Sequence, residues 1–167
     1  MVEGLVNQYT LSIRFLRLLA YLMTGAIIAQ ALGCLITYLS MLDTQVAGMV
    51  SHSLIQHLSY YFLGVAFLIL SLCNLLVRRR ISQLKTIRLP SLILILCVAL
   101  TSFLIIPRMD YLREIALQDG LPVMLSPFAN YFAILNGITV LLLCAQILSS
   151  VLIAWRLSAP LLPKIST

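Results

Sequence analysis

From Leu89 to Pro107 the chain reads LPSLILILCVALTSFLIIP. No charged residue interrupts this stretch, and its aliphatic side chains lack both the polar stripe of a surface helix and the alternation of a barrel strand. A helix of this length covers about 30 Å, the thickness of the hydrocarbon core of a bilayer. A backbone in lipid must satisfy its own N–H and C=O groups, so the stretch reads as a membrane-spanning helix.

Three further runs share this character, at about 16–42, 54–77 and 128–155. Of the 167 residues 62% are hydrophobic and 10% charged, and the mean hydropathy is +1.07. A soluble domain carries about a quarter charged residues, so that class is excluded. The expected fold is all-α: a polytopic membrane protein in which four transmembrane helices form an up-down-up-down bundle, a single domain over 1–167. The first run is too long for the core of a signal peptide and is not followed by a small-x-small cleavage site, so it is expected to remain as a helix.

The basic residues divide unequally between the two ends. Arg14, Arg17, Arg78, Arg79, Arg80, Lys85, Arg88, Arg156 and Lys164 fall on one side, and only Arg108 and Arg113 on the other. The positive-inside rule then puts both termini in the cytoplasm. Tyr38, Tyr60, Tyr61 and Tyr131 near the outer helix ends, and Tyr21 and Trp155 near the inner ones, suit headgroup level. The formal charge of +6 thus sets orientation and faces membrane lipids, and no nucleic-acid partner is expected.

Gly25, Ala29 and Gly33 recur at i, i+4 and i+8, a stripe that lets another backbone approach closely. Two uses are open: packing within the bundle, with Gly64 and Gly137 as complements, or a seam for self-association or another membrane subunit. Gln30, Asn136 and Gln146 are the amides from which a polar pocket could be built. No Asp, Glu, Lys or Arg lies mid-span, which argues against an ion-driven transporter.

Cys34, Cys73, Cys97 and Cys144 occur one per helix, but at about 1.5 Å per residue their depths are staggered too far for one tetrathiolate centre. His52 and His57, five residues apart, point about 140° from one another on a helix, and His52 is expected in a solvated outer connection. No metal, no cofactor and no catalytic residues are expected, because no activated-nucleophile spacing or phosphate-cradling glycine motif occurs. Pro107 is expected to end the third span. Residues 108–117 then read as a short outer-surface helix with Met109, Leu112 and Ala116 as its apolar stripe, resting on the bilayer or acting as a lid or docking element.

Leu42-Asp43-Thr44-Gln45-Val46-Ala47-Gly48-Met49-Val50, Ile106-Pro107-Arg108-Met109-Asp110-Tyr111-Leu112-Arg113 and Phe132-Ala133-Ile134-Leu135-Asn136-Gly137 resemble the signature segments of a bacterial four-helix membrane family of unknown function related to transmembrane protein 205 of animals. Asn136 stands where members of that family usually carry a histidine. The resemblance implies the four-helix fold and a bacterial inner-membrane location, and no reaction. The leading functional expectation is a non-catalytic accessory or scaffold subunit that packs through its helix faces with a larger membrane assembly. The alternative is a small transporter or a binder of lipid-soluble ligands, and a membrane enzyme is the least favoured.

Overall fold

The computed structural model describes residues 2–78, 84–120 and 122–159, with the backbone alone for 2–10 and 44. Helix α1 runs Val2–Ser40, α2 Thr44–Arg78, α3 Lys85–Leu100, α4 Ile106–Gln118 and α5 Ala129–Ser158. A π-helical turn, Thr101–Ile105, joins α3 to α4 without a break, and a 3₁₀ turn, Val123–Leu125, precedes α5. Four continuous helical segments, Leu11–Ser40, Gln45–Arg78, Lys85–Gln118 and Ala129–Ser158, are long and apolar enough to cross a membrane. The protein is an all-α, four-helix integral membrane protein.

Two expectations about the connections are corrected. The stretch before the second span is helical from Thr44, because the Asp43 carboxylate caps it: Asp43 Oδ1 accepts from the backbone N–H of Gln45 at 2.8 Å and of Val46 at 3.4 Å. Pro107 does not end the third helix. Proline lacks the N–H an α-helix needs and its ring crowds the carbonyl one turn back. Here the preceding turn is widened, with the Ile106 N–H donating five residues back to Thr101 O, so the helix runs on through the proline. Residues 108–117 are therefore not a separate surface helix.

Each long helix packs against the next in the chain, and α5 closes the ring on α1. At the end bearing most of the basic residues, α1 and α5 are tied by Arg17 Nη2 donating to Ala159 O at 3.1 Å, a Tyr21–Ser158 hydroxyl pair at 2.8 Å, and Thr24 Oγ1 donating to Ser150 O at 3.0 Å. Pro90, inside α3, cannot donate to the Thr86 carbonyl, and the Arg156 guanidinium of α5 donates to that oxygen instead. This half of the bundle has an apolar core that includes Leu16, Ala20, Ile69, Leu94, Ile153 and Leu157. Most buried hydroxyls are satisfied within their own helices, as in Ser59 to Ile55 O, Ser91 to Ile87 O and Thr139 to Leu135 O, which lets polar residues sit in the interior at little cost.

Candidate functional site

Among the residues with described side chains, the acidic groups Asp43, Asp110, Glu114 and Asp119 all lie at the far end of the bundle, away from the basic termini. The buried stripe of α2 passes through Ala47, Gly48, Ser51, His52 and Ile55, and that of α4 through Met109, Leu112, Arg113 and Ala116. Both follow helical periodicity. Where the stripes meet, Asp110 Oδ1 accepts from His52 Nδ1 at 3.1 Å and from Arg113 Nη1 at 3.2 Å. The acceptor is a carboxylate, so this His52 nitrogen carries the proton. His52 and Arg113 are 4% and 5% exposed. Asp110 remains half open to solvent.

The rest of the cluster fixes the guanidinium in place. Arg113 Cζ sits 5.6 Å from the centroid of Phe132 on α5, a cation–π contact. A Cβ placed on Gly48 would lie 3.0 Å from Arg113 Nη2 and 3.3 Å from Tyr38 Oη, so any larger residue there requires these two side-chain ends to give way. Cys34 and Ser51 are buried beside one another, and the Ser51 hydroxyl has no partner stronger than that thiol. At the surface nearby, Arg108 is bracketed by Tyr111 and Tyr131 at 5.6 and 5.9 Å.

Two expectations are overturned here. His52 is buried against Asp110 and is not a solvated loop residue. The stripe Met109, Leu112 and Ala116 faces Phe132, Leu135 and Val123 inside the protein, not the bilayer. Arg113 lies on that stripe. His57 points elsewhere, its Nδ1 within 2.7 Å of Ser53 O.

The small residues are placed differently from the within-bundle expectation. Gly25, Gly64 and Gly137 are exposed on the outside of the ring with open space where a Cβ would stand, and Ala29 is exposed beside Gly25. They do not complement one another across a helix contact. Gly33 alone of the stripe meets a neighbour, with Leu54 Cδ2 3.5 Å from its would-be Cβ. Gly25, Ala26 and Ala29 instead lie with Leu18, Tyr21 and Leu22 along a shallow, open outward groove of about 500 Å³ on this one helix.

The proposed amide pocket is divided. Gln146 is 2% exposed and its Nε2 donates to Thr101 Oγ1 at 3.3 Å, and Gln30 is equally buried on α1. Asn136 is half-buried and ten residues from Gln146, about 15 Å along α5. Cys34, Cys73 and Cys97 are buried, Cys144 faces outward, and among the described residues no three His, Cys, Asp or Glu side chains come together.

Fold and site together define a four-span, all-α integral membrane protein with an ion cluster at one end and an apolar groove on its first helix. The chain matches no protein-family model, no curated protein and no solved structure.

Proposed function

We propose that the protein is a non-catalytic accessory subunit whose first helix receives a transmembrane helix of another subunit. The observation that carries this reading is the groove of Leu18, Tyr21, Leu22, Gly25, Ala26 and Ala29. It follows one face of α1 for about three turns, and its floor of small residues is left unused by the bundle itself. In lipid no hydrophobic force drives helices together, so association rests on close backbone approach, which such a floor permits.

A photo-crosslinking residue at Ala26 in the full-length protein, expressed in bacterial membranes, is expected to give a protein adduct of defined mass that Gly25→Leu abolishes. The same residue at Leu141 gives none. Adducts with lipid alone at Ala26, or an adduct that survives Gly25→Leu, would overturn the reading, and a small transporter or ligand binder would then be the better account. Gly33 is left out of the seam because Gly33→Leu would press on Leu54 of the same chain.

The location we infer is the bacterial inner membrane with both termini cytoplasmic. The nine basic residues at one end against Arg108 and Arg113 at the other support the orientation. Burial of Arg113 in an ion cluster supports it further by leaving Arg108 as the single exposed basic side chain among the described residues of the far end. Reporter fusions after Gly48 and Gly120 are expected to read extracytoplasmic, and fusions after Gln83 and Thr167 cytoplasmic. A cytoplasmic signal at Gly120 would refute the orientation. Kinship with the bacterial four-helix family related to transmembrane protein 205 is likewise an inference. Its support is that the three resembling segments meet at one place, through Gly48, Arg113 and Phe132.

A further inference from the structure

Midway through the bundle, two buried polar atoms have no hydrogen-bond partner among the described residues: Gln30 Oε1 on α1 and Ser102 Oγ in the π turn. Their residues are 2% and 1% exposed. The helix register puts them at one height. The Thr24–Ser150 bond levels those two residues across the antiparallel pair α1 and α5. Gln30 lies six residues beyond Thr24 toward the far end, about 9 Å, and Gln146 four residues beyond Ser150 in the same direction, about 6 Å. The Gln146–Thr101 bond then brings Thr101, and Ser102 after it, to the same level within about one turn. Ser59 of α2 joins the layer: it is five residues from Leu54, and Gln30 three from Gly33, on the basic side of the Gly33–Leu54 contact.

Every helix of the ring therefore contributes a buried polar side chain at this height, and the two orphaned atoms come from helices that face each other across the ring. Gln30 Oε1 can only accept a hydrogen bond, whereas Ser102 Oγ can donate or accept. Whatever satisfies both must be a donor. It must also be uncharged, since no Asp, Glu, Lys or Arg lies at this level to balance an ion. It must be small, because all five polar residues of the layer are buried among the helices. Water meets these conditions, and buried water characteristically serves polar groups that the protein leaves unpaired.

We propose that the Gln30–Ser59–Thr101–Ser102–Gln146 layer is a site for internal water, held between Gln30 Oε1 and Ser102 Oγ beside the widened turn of the third helix. The water lies on the far-end side of the apolar core built by Leu16, Ala20, Ile69, Leu94, Ile153 and Leu157, which stays dry. The site thus hydrates the middle of the bundle without making a path across it. It is independent of the groove on α1, which faces the other way.

The test compares Gln30→Met, Ser102→Ala and the double variant of the full-length protein in mild detergent, with water-edited solid-state NMR of the unmodified protein in liposomes. An orphan polar atom in a dry interior is a liability, so its removal would raise Tm. A water bridging the two makes each single substitution lower Tm, and the double variant then falls no further than the worse single, because both lose the same water. Magnetisation from water is expected to reach the Gln30 side-chain amide in the unmodified protein. A rise in Tm for either single variant, additive losses in the double, or absence of water transfer to Gln30 would each overturn the proposal. Coupled losses without water transfer would mean a direct Gln30–Ser102 bond, which also overturns it.

Discussion

Asp110→Ala is expected to lower the stability of the folded bundle by about 2–3 kcal/mol, measured by reversible unfolding in mixed micelles. Asp110 is the common acceptor for His52 and Arg113, both more than nine-tenths buried. Deleting it strands a guanidinium inside the protein. Removal of one partner from a fully buried pair costs about 3–5 kcal/mol, and the figure here is lower because Asp110 is half exposed and water screens the pair. Pairing Asp110→Ala with Arg113→Met should recover most of the loss, since the stranded charge is then gone while the bulk against Phe132 remains. A change within about 0.5 kcal/mol for Asp110→Ala, the range of an ordinary surface substitution, would mean that the cluster does not hold α2 to α4.

Gly48→Leu is expected to cost as much or more, about 3 kcal/mol, by forcing α2 away from the cluster. The first atom of the new side chain would already stand 3.0 Å from Arg113 Nη2 and 3.3 Å from Tyr38 Oη. The guanidinium cannot easily retreat, because Asp110 holds one side and the Phe132 ring covers another. Gly48→Ala is expected to cost about 1 kcal/mol by the same crowding. Adding Tyr38→Phe, which removes the oxygen at 3.3 Å, should return part of it. Equal stability of Gly48→Leu and the parent protein would show that the far end adjusts freely. The same unfolding assay distinguishes these outcomes.

The four spans were legible because lipid imposes a simple rule on long apolar runs, and Leu89–Pro107 obeys it plainly. The ion cluster was not, and the reason lies in how its residues are spaced. Ala47, Gly48, Ser51, His52 and Ile55 keep the helical period, but the stripe is small and polar, so an apolar count starts the second helix at residue 54 and leaves His52 outside it. Asp43 was the missed signal: a carboxylate at an N-cap, followed by helix-compatible residues, marks a start ten residues earlier. In the third helix Pro107 hid the continuation, since nothing in the local sequence announces a π turn. Once the helix is known to run on, Arg113 falls four residues after Met109 and joins the buried face. The small-residue stripe was visible in the sequence, but which way it faces depends on the rotation of α1 in the ring, which is fixed by Thr24, Tyr21 and Arg17 bonding to α5.

The tie between Pro90 and Arg156 has a consequence for how this chain can vary. Arg156 is one of the basic residues on which the proposed orientation rests, yet its guanidinium also occupies the carbonyl that Pro90 leaves without a donor. Under the proposed orientation one side chain answers to two selections, one exerted during insertion and one after folding. Moving a positive charge from position 156 to a neighbouring position would preserve the first and forfeit the second. Among charges that look interchangeable in a tally, those that have found a backbone oxygen are anchored in place, and the freedom to redistribute charge belongs to the remainder.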